Sequence, residues 1–541
     1  MEATAGSQVP STGGSPSRRT GRRRLRVPGA FPSWSITAAL AAIWLVAGPA
    51  TADLAAQVHR AGSFATDGFT IWDNSWYGGH HVPGYSLVFP ALGATIGVRL
   101  AGALAAVASA MLFEALLGPR RSRAACWWFA IGCSADLLIG RLTYALGVTF
   151  GLAAVFALAR ARPRVAAGLA VLCAATSPVA GLFLALAGVA IAIAQRSRGA
   201  AAMAAASAAV VVTLSLVFPE GGTQPFSLTS FLVTLAISAA AIVVVGRHPV
   251  LRWPLLLYVA AVVAAFVVPS PMGNNVTRLG TAFVGPALLV AASGRRRATL
   301  ALVLCAAVAW QWVDPLTQAA RGFEDPSSSA DYYRPLIERL HDAGARTFRV
   351  EVPFTRGHWE SVYLARDLVL ARGWERQLDR HLNPLFYERR LDAGAYHRWL
   401  RANAVRYVAL PDVPLDVAGR PEARLLEHPP RYLEPVWANG DWRLFRVKDA
   451  LPLASPRARR TSLSDAGVRV EVRRPGRVLV RVHWTPYWRL VRGRGCLSRR
   501  HGWTLLDAQH AGTYVLTPRF SLGRVLEQSP ACTPSGSGVT R

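Results

Sequence analysis

Residues 66–86 read TDGFTIWDNSWYGGHHVPGYS, a stretch that crowds acids, aromatics, a histidine pair and a glycine pair between two apolar segments. Connecting loops are short and plainly polar, so this mixture has the composition of a site. Asp67 and Asp73 are its acidic candidates for catalysis. Trp72, Trp76 and Tyr77 offer flat apolar faces of the kind that stack on sugar rings, and Tyr85 joins them as a candidate binding residue. Gly78 and Gly79 let the backbone approach a ligand closely. His80 and His81 could orient a phosphate or, with Asp73, help hold a divalent cation, although one carboxylate beside a histidine pair falls short of a full ligand set. The bland alternative is an interfacial aromatic belt with capping aspartates.

Other polar residues fall where they could converge on the same place. Arg141 follows Asp136 at the turn of an apolar hairpin, and Asn274, Asn275 and Arg278 lie in a loop before a later apolar run. Ionisable groups at membrane depth cost roughly 2.5 to 3.5 kcal/mol on insertion scales, so they tend to face cavities or partners. Pairing of Asp136 with Arg141 across their turn is the structural alternative.

The elements that must position these residues are apolar. The chain has 541 residues, 52% of them hydrophobic, with the apolar blocks concentrated before Trp312. A net charge of +29 would normally point to nucleic acid, but the arginines form no basic helix or aromatic-basic platform, which excludes that partner. Lys448 is the only lysine, so a phosphate-binding Gly-Lys-Ser/Thr loop is absent and ATP-driven work is not expected. His-Glu-x-x-His, Cys-x-x-Cys and Gly-x-Ser-x-Gly are absent as well. Arginine in place of lysine, with abundant alanine, fits a GC-rich bacterial genome.

Runs of about 20 apolar residues cross a hydrocarbon core about 30 Å thick, and arginines between them mark the cytoplasmic side. Residues 1–30 read as a disordered basic cytoplasmic tail, and residues 31–314 as a transmembrane domain of about eleven helices. The first span ends in AGPATAD, which has the small residues of a signal-peptidase site, but its length and the many later spans make it an uncleaved anchor. Residues 66–86 then lie outside the cytoplasm. Val165 to Gln195 begins and ends beside arginines and is too short for two full spans, so the break at Ser177-Pro178 implies a hairpin whose tip stops at membrane depth, beside protein or a wet cavity.

An odd number of crossings delivers the rest of the chain to the outer face. Residues 315–448 read as an extracytoplasmic α/β domain, from ADYYRPLIERLHDAG before RTFRVEV, AYHRWLRANA before VRYVALP, and a hairpin turning at Asn439-Gly440. Residues 449–530 read as a β-rich domain, in which VRVEVRRPGRVLVRVHW alternates toward a small sandwich, and 531–541 as a flexible tail. Cys496 and Cys532 are the external cysteines, expected to pair in an oxidising compartment, with two free thiols the alternative.

The motifs WYGGHHVPGYSLVFP, GRLTYALGVTFGLAAV, TSPVAGLFLALAG and NNVTRLG, with the many spans and the acidic first outer loop, resemble the C-type glycosyltransferase superfamily (GT-C). They are similar in particular to actinobacterial membrane proteins described as related to 6-pyruvoyl-tetrahydropterin synthase. The paired acidic motif usual in that superfamily is not cleanly present, and Asp67 and Asp73 are separated by five residues. The resemblance implies a multi-pass enzyme of the bacterial plasma membrane that moves a sugar from a polyprenyl phosphate to an envelope glycan or glycolipid, with inversion. It implies Asp73, then Asp67, as the base that takes the acceptor's proton, and Arg141, Arg278 or a divalent cation as compensation for the departing phosphate. Membrane lipid would be a further partner. The rival functions are a lipid or glycan transporter or flippase, and a non-catalytic envelope assembly protein whose aromatic loop packs against its outer domain.

Overall fold

A computed structural model describes residues 31–525, apart from 119–121, 247, 249, 292–296, 345, 389 and 465. The basic tail, the C-terminal tail and Cys532 lie outside the described residues, and so does the expected pairing of Cys532 with Cys496.

The first half is helical, as its apolar runs require. Among the described residues six helices are long and apolar enough to cross a membrane: Val98–Leu117, Leu142–Ala159, Pro178–Gln195, Arg198–Val217, Leu228–Val245 and Ala298–Phe323. A seventh is added if Trp34–Ala47 and Ala52–Asp67, bent by 77° at their junction, count as one span. The eleven crossings expected from sequence are therefore not established. Helices Arg123–Ile139, Pro163–Thr176, Arg252–Val267 and Thr277–Ala291 have only 14 to 17 residues. At about 1.5 Å per residue they fall short of a core about 30 Å thick.

Two breaks shape the site. Gly48 and Pro49 end the first helix early, and the chain turns into the amphipathic helix Ala52–Asp67. The expected break is present: Pro163–Thr176 and Pro178–Gln195 meet at Ser177, whose side chain accepts from the Ala180 N–H and caps the second helix, but that second helix is long enough to cross a membrane, so two short helices ending at half depth are not what forms. The last long helix continues through Asp314 and Pro315 to Phe323.

The C-terminal region contains a four-stranded sheet ordered Arg349–Glu351, Val405–Pro411, Trp442–Val447, Leu433–Ala438, with the first pair parallel and the others antiparallel. Helices Ala330–His341 and Ala393–Ala402 precede the two parallel strands, capped by Ser329 and Asp392. A sandwich of two four-stranded sheets follows. Val468, Val470 and Val472 face its core from one sheet, and Val478, Val480 and Val482 from the other. The Pro475-Gly476 turn thus carries the chain from sheet to sheet and closes no hairpin. From Ser33 onward the chain forms one compact unit, so helices and sheets share a core.

Candidate functional site

The aromatic loop and a large cavity are built from the same neighbouring segments, and most of the loop's chemistry is turned inward. Trp72–Asp73 and His80–His81 form a two-stranded antiparallel ribbon that pairs Asp73 with His80. Trp76 is fully buried, stacked between His59 and His80 at ring distances of 4.1 and 5.7 Å, and its indole N–H donates to Ser361 O at 3.0 Å. Tyr77 Oη donates to Gly373 O at 2.6 Å and accepts from the Glu375 N–H at 2.9 Å. Asn74 donates to Ser464 O and Gly467 O, while its own Oδ1 accepts from the Trp72 indole. Trp72 packs edge-on against Trp488. The loop therefore ties the N-terminal helices to both C-terminal modules.

Asp73 is buried and accepts from the Ser75 N–H at 2.7 Å, with His59 Nε2 2.8 Å from its other oxygen. Burial alone would raise its carboxyl, but His59, His80 and the Ser75 N–H outweigh burial and hold it below the usual carboxylate range. Burial pushes His80 down to about 3, against the pull of Asp73. Asp67 and Asp73 line a void of about 20 Å³, room for a single water. His81 Nδ1 lies 3.0 Å from Glu220, whose carboxyl burial raises, and its Nε2 lies 3.0 Å from Thr485 Oγ1. Among the described residues no group of three or more His, Cys, Asp or Glu is arranged to hold a metal ion.

The cavity has a volume of about 1020 Å³, the scale of a site for a large ligand. Of the residues singled out in the sequence, Tyr85, Arg141, Asn274, Asn275 and Arg278 line it; Asp67, Asp73, Trp72, Trp76, Tyr77, His80 and His81 do not. Six acids line it that the sequence did not single out as site residues, Asp53, Glu220, Asp314, Asp325, Glu375 and Asp416, and of these Asp53 is the one hydrogen-bonded to Arg141. Asp53, in the first turn of Ala52–Asp67, lies 3.2 Å from Arg141 Nε, with its side chain about one-third exposed (34%).

Local chemistry fixes that pair. Gly140 turns at φ 85°, and a Cβ there would meet Leu54 N at 2.7 Å, so only glycine lets the two helix starts touch. Thr51 Oγ1 donates to Ile139 O at 2.7 Å. Gln57 Oε1 accepts from Thr143 N and Oγ1 at 2.8 and 2.9 Å, and its amide donates to Asp53 O at 2.8 Å and to Gly140 O. Arg141, expected to pair with Asp136 or face a cavity, lines the cavity between Asp53 and Asp314, the latter at 3.8 Å.

Arg278 lies 5.5 Å from the Tyr144 ring centroid; its Nε is buried without a hydrogen bond, and among the described residues it has no carboxylate within 4 Å. Asn274 Oδ1 is likewise buried without a partner, whereas Asn275 donates to Pro271 O. One stretch of the lining is apolar: Pro178, Val179 and Leu182 at the hairpin tip, then Val211, Leu214 and Phe218. Another stretch, from the C-terminal region, is polar. His358 stacks on Trp374 at 3.4 Å, Arg376 grips Asp416 through two bonds of 2.8 Å, and His358 Nε2 lies 3.8 Å from Asp416. Burial would lower His358, but Asp416 and Glu360 outweigh it and raise its pKa.

No protein-family model and no curated protein matches this sequence. Two solved structures resemble it in shape. The arabinofuranosyltransferase AftD from Mycobacteria, determined by cryo-EM, superposes with a TM-score of 0.43 at 12% identity over 91% of this chain, which spans 57% of that enzyme. The archaeal oligosaccharyltransferase AglB from Archaeoglobus fulgidus, solved with an inhibitory peptide and a dolichol-phosphate, gives a TM-score of 0.41 at 12% identity, over 70% of this chain and 69% of that one.

Proposed function

We propose that this chain is a GT-C-like membrane glycosyltransferase that moves a sugar from a polyprenyl phosphate to an envelope glycan or glycolipid, with the base at Asp53 in place of Asp73. The observation that carries it is the Arg278 guanidinium, whose buried Nε makes no hydrogen bond, in a cavity with an apolar stretch, a polar stretch and a partly exposed carboxylate at Asp53 beside Arg141. The lipid tail lies along Val211, Leu214 and Phe218, entering past the hairpin tip. Its phosphate meets Arg278 and Arg141, which offset the growing negative charge. The acceptor enters from the side of Trp374 and His358. Asp53 takes the acceptor hydroxyl's proton as that oxygen bonds to the anomeric carbon; the bond from that carbon to the phosphate oxygen breaks, and the lipid phosphate leaves with the electron pair. A single displacement inverts the centre. A stable phosphate anion needs no protonating acid.

The boundary expected at 314/315 moves past Phe323, because one helix runs through it, whereas the plasma-membrane location, the cytoplasmic N-terminus, the extracytoplasmic sheets, the domain boundary at 448/449 and the kinship with the 6-pyruvoyl-tetrahydropterin synthase-related membrane proteins belong to the same proposal. Its test compares envelope glycolipids of a deletion strain complemented with wild type, Asp53→Asn, Arg278→Gln or Asp73→Asn. Loss of one product with Asp53→Asn and Arg278→Gln, at normal protein levels, is expected. The closed packing of Trp72, Trp76 and Tyr77 favours a second reading, a non-catalytic assembly protein. Normal glycolipids from both cavity variants, beside a defect in the deletion strain, would select it.

A further inference from the structure

Apart from the cavity and the aromatic loop, the sandwich touches the membrane helices at a defined level. Tyr487 Oη donates at 2.7 Å to the carbonyl of Val217, the last residue of helix Arg198–Val217. The rings of Phe218, Tyr487 and Phe520 cluster with centroids 5.5 to 5.8 Å apart. This helix is long and apolar enough to span a bilayer, and its Val212 and Leu216 are exposed, so its end marks a membrane surface. The sandwich edge is fastened there.

At that level the chain leaves strand Gly512–Pro518 and presents Arg519, Phe520 and Leu522 to the outside. Phe520 is 47% exposed and Leu522 76%. Arg519 is held through its N–H to Tyr487 O at 2.9 Å, and Arg489 stands on the paired strand Trp488–Arg492. Between Gly476 and Arg524 the sequence holds one acid, Asp507, among many arginines. Exposed large apolar side chains beside arginines, at the end of a lipid-facing helix, match the interfacial region of a bilayer: apolar groups below, anionic headgroups above. A soluble acidic polymer would leave Leu522 without a partner.

We propose that this sheet edge is a membrane seat, with Phe520 and Leu522 inserted into the adjoining leaflet and Arg519 and Arg489 against anionic phospholipid headgroups. The seat is independent of the transfer reaction; it holds the sandwich, and through Trp72 and Trp488 the aromatic loop, at a fixed height over the helices.

The test uses the full chain, with its six cysteines replaced, carrying a nitroxide at Leu522→Cys or at His510→Cys. Residue 510 precedes the far end of the seven-residue strand Gly512–Pro518, roughly 20 Å away at about 3.3 Å per residue. In phosphatidylcholine–phosphatidylglycerol nanodiscs, the label at 522 is expected to collide preferentially with oxygen and the label at 510 with a water-soluble nickel complex. Equal access of the nickel complex to both labels would overturn the seat. A label at 522 shielded only in native membranes, and open in nanodiscs, would overturn it in favour of a protein partner. The oxygen preference at 522 is expected to fall when phosphatidylglycerol is omitted and to lose that dependence in Arg519→Gln combined with Arg489→Gln; a dependence unchanged by the two substitutions would overturn the headgroup assignment.

Discussion

The ribbon at residues 72–81 and the helix start at residues 53–57 both bring acid and amide groups to the junction of helices and sheets, yet they use them differently. Asp73 is closed in by His59 and Ser75, and its neighbours Trp76 and Tyr77 reach Ser361, in a short helix, and Gly373, in a loop. Asp53 shares one oxygen with Arg141, keeps part of its side chain exposed and opens on about 1020 Å³. A dense collection of reactive side chains has become a joint, and a sparse one borders the space a substrate could occupy. Asp73, with both oxygens engaged, is held rigid, whereas chemistry needs a group with capacity left over.

The sharpest way to break this contrast is Asp53→Asn. Removing a general base costs about 10²- to 10⁴-fold in rate, so transfer by purified protein from a synthetic polyprenyl-phosphate sugar is expected to fall by that factor with the thermal midpoint nearly unchanged. Full activity in this variant would return the base to the loop. Trp76→Ala is expected to do the reverse. It empties a fully buried indole site between two histidines, and such truncations cost about 3 to 5 kcal/mol. Unfolding followed by tryptophan fluorescence in detergent is expected to show the loss; an unshifted midpoint would mean that the loop is not a joint.

Much of the architecture was legible because it is local. Apolar runs announce helices, Ser177-Pro178 announces the hairpin break, and alternating valines announce the sandwich. Crossing counts are less legible, since helices of 14 to 17 residues lie below the length that composition alone reads as a span. The site was half legible. Arg141 and Arg278 stood out as charges beside apolar runs, but Asp53 sits in AGPATAD, which reads as the end of an anchor, and its partner is 88 residues away. The available signal was an acid in the first turn of an amphipathic helix with Gln57 four residues later on the same face. Aromatics serve packing and stacking equally well, and what decided between them, Ser361 for Trp76 and Thr485 for His81, lies 285 and 404 residues away.

Acid titration offers a milder test of the joint. The fold holds His80 at about 3, from an ordinary value near 6.5, so the unfolded chain binds a proton that the folded chain refuses. The stability tied to its neutral form is complete above about pH 6.5 and is lost as pH falls toward 3, with a slope of at most about 1.4 kcal/mol per pH unit. Asp73 is lowered as well, so its share is present above about pH 4 and is lost on further acidification. His80→Gln is expected to flatten the dependence of unfolding on pH between 6.5 and 3. A slope equal to wild type would show that the ring does not titrate with the fold.

The smallest expected effect separates two tyrosines of the same segment. Tyr77 Oη satisfies a buried carbonyl at Gly373 and the N–H of Glu375, so Tyr77→Phe leaves both without their partner and is expected to cost about 1 to 3 kcal/mol of stability. Tyr85 lines the cavity with its ring 3.8 Å from the Arg60 guanidinium, a contact that phenylalanine preserves. Tyr85→Phe is therefore expected to change stability by about 0.5 kcal/mol or less, and to register instead in the KM for the lipid-linked donor. Equal stability losses from the two variants would mean that the boundary between joint and site does not run between residues 77 and 85.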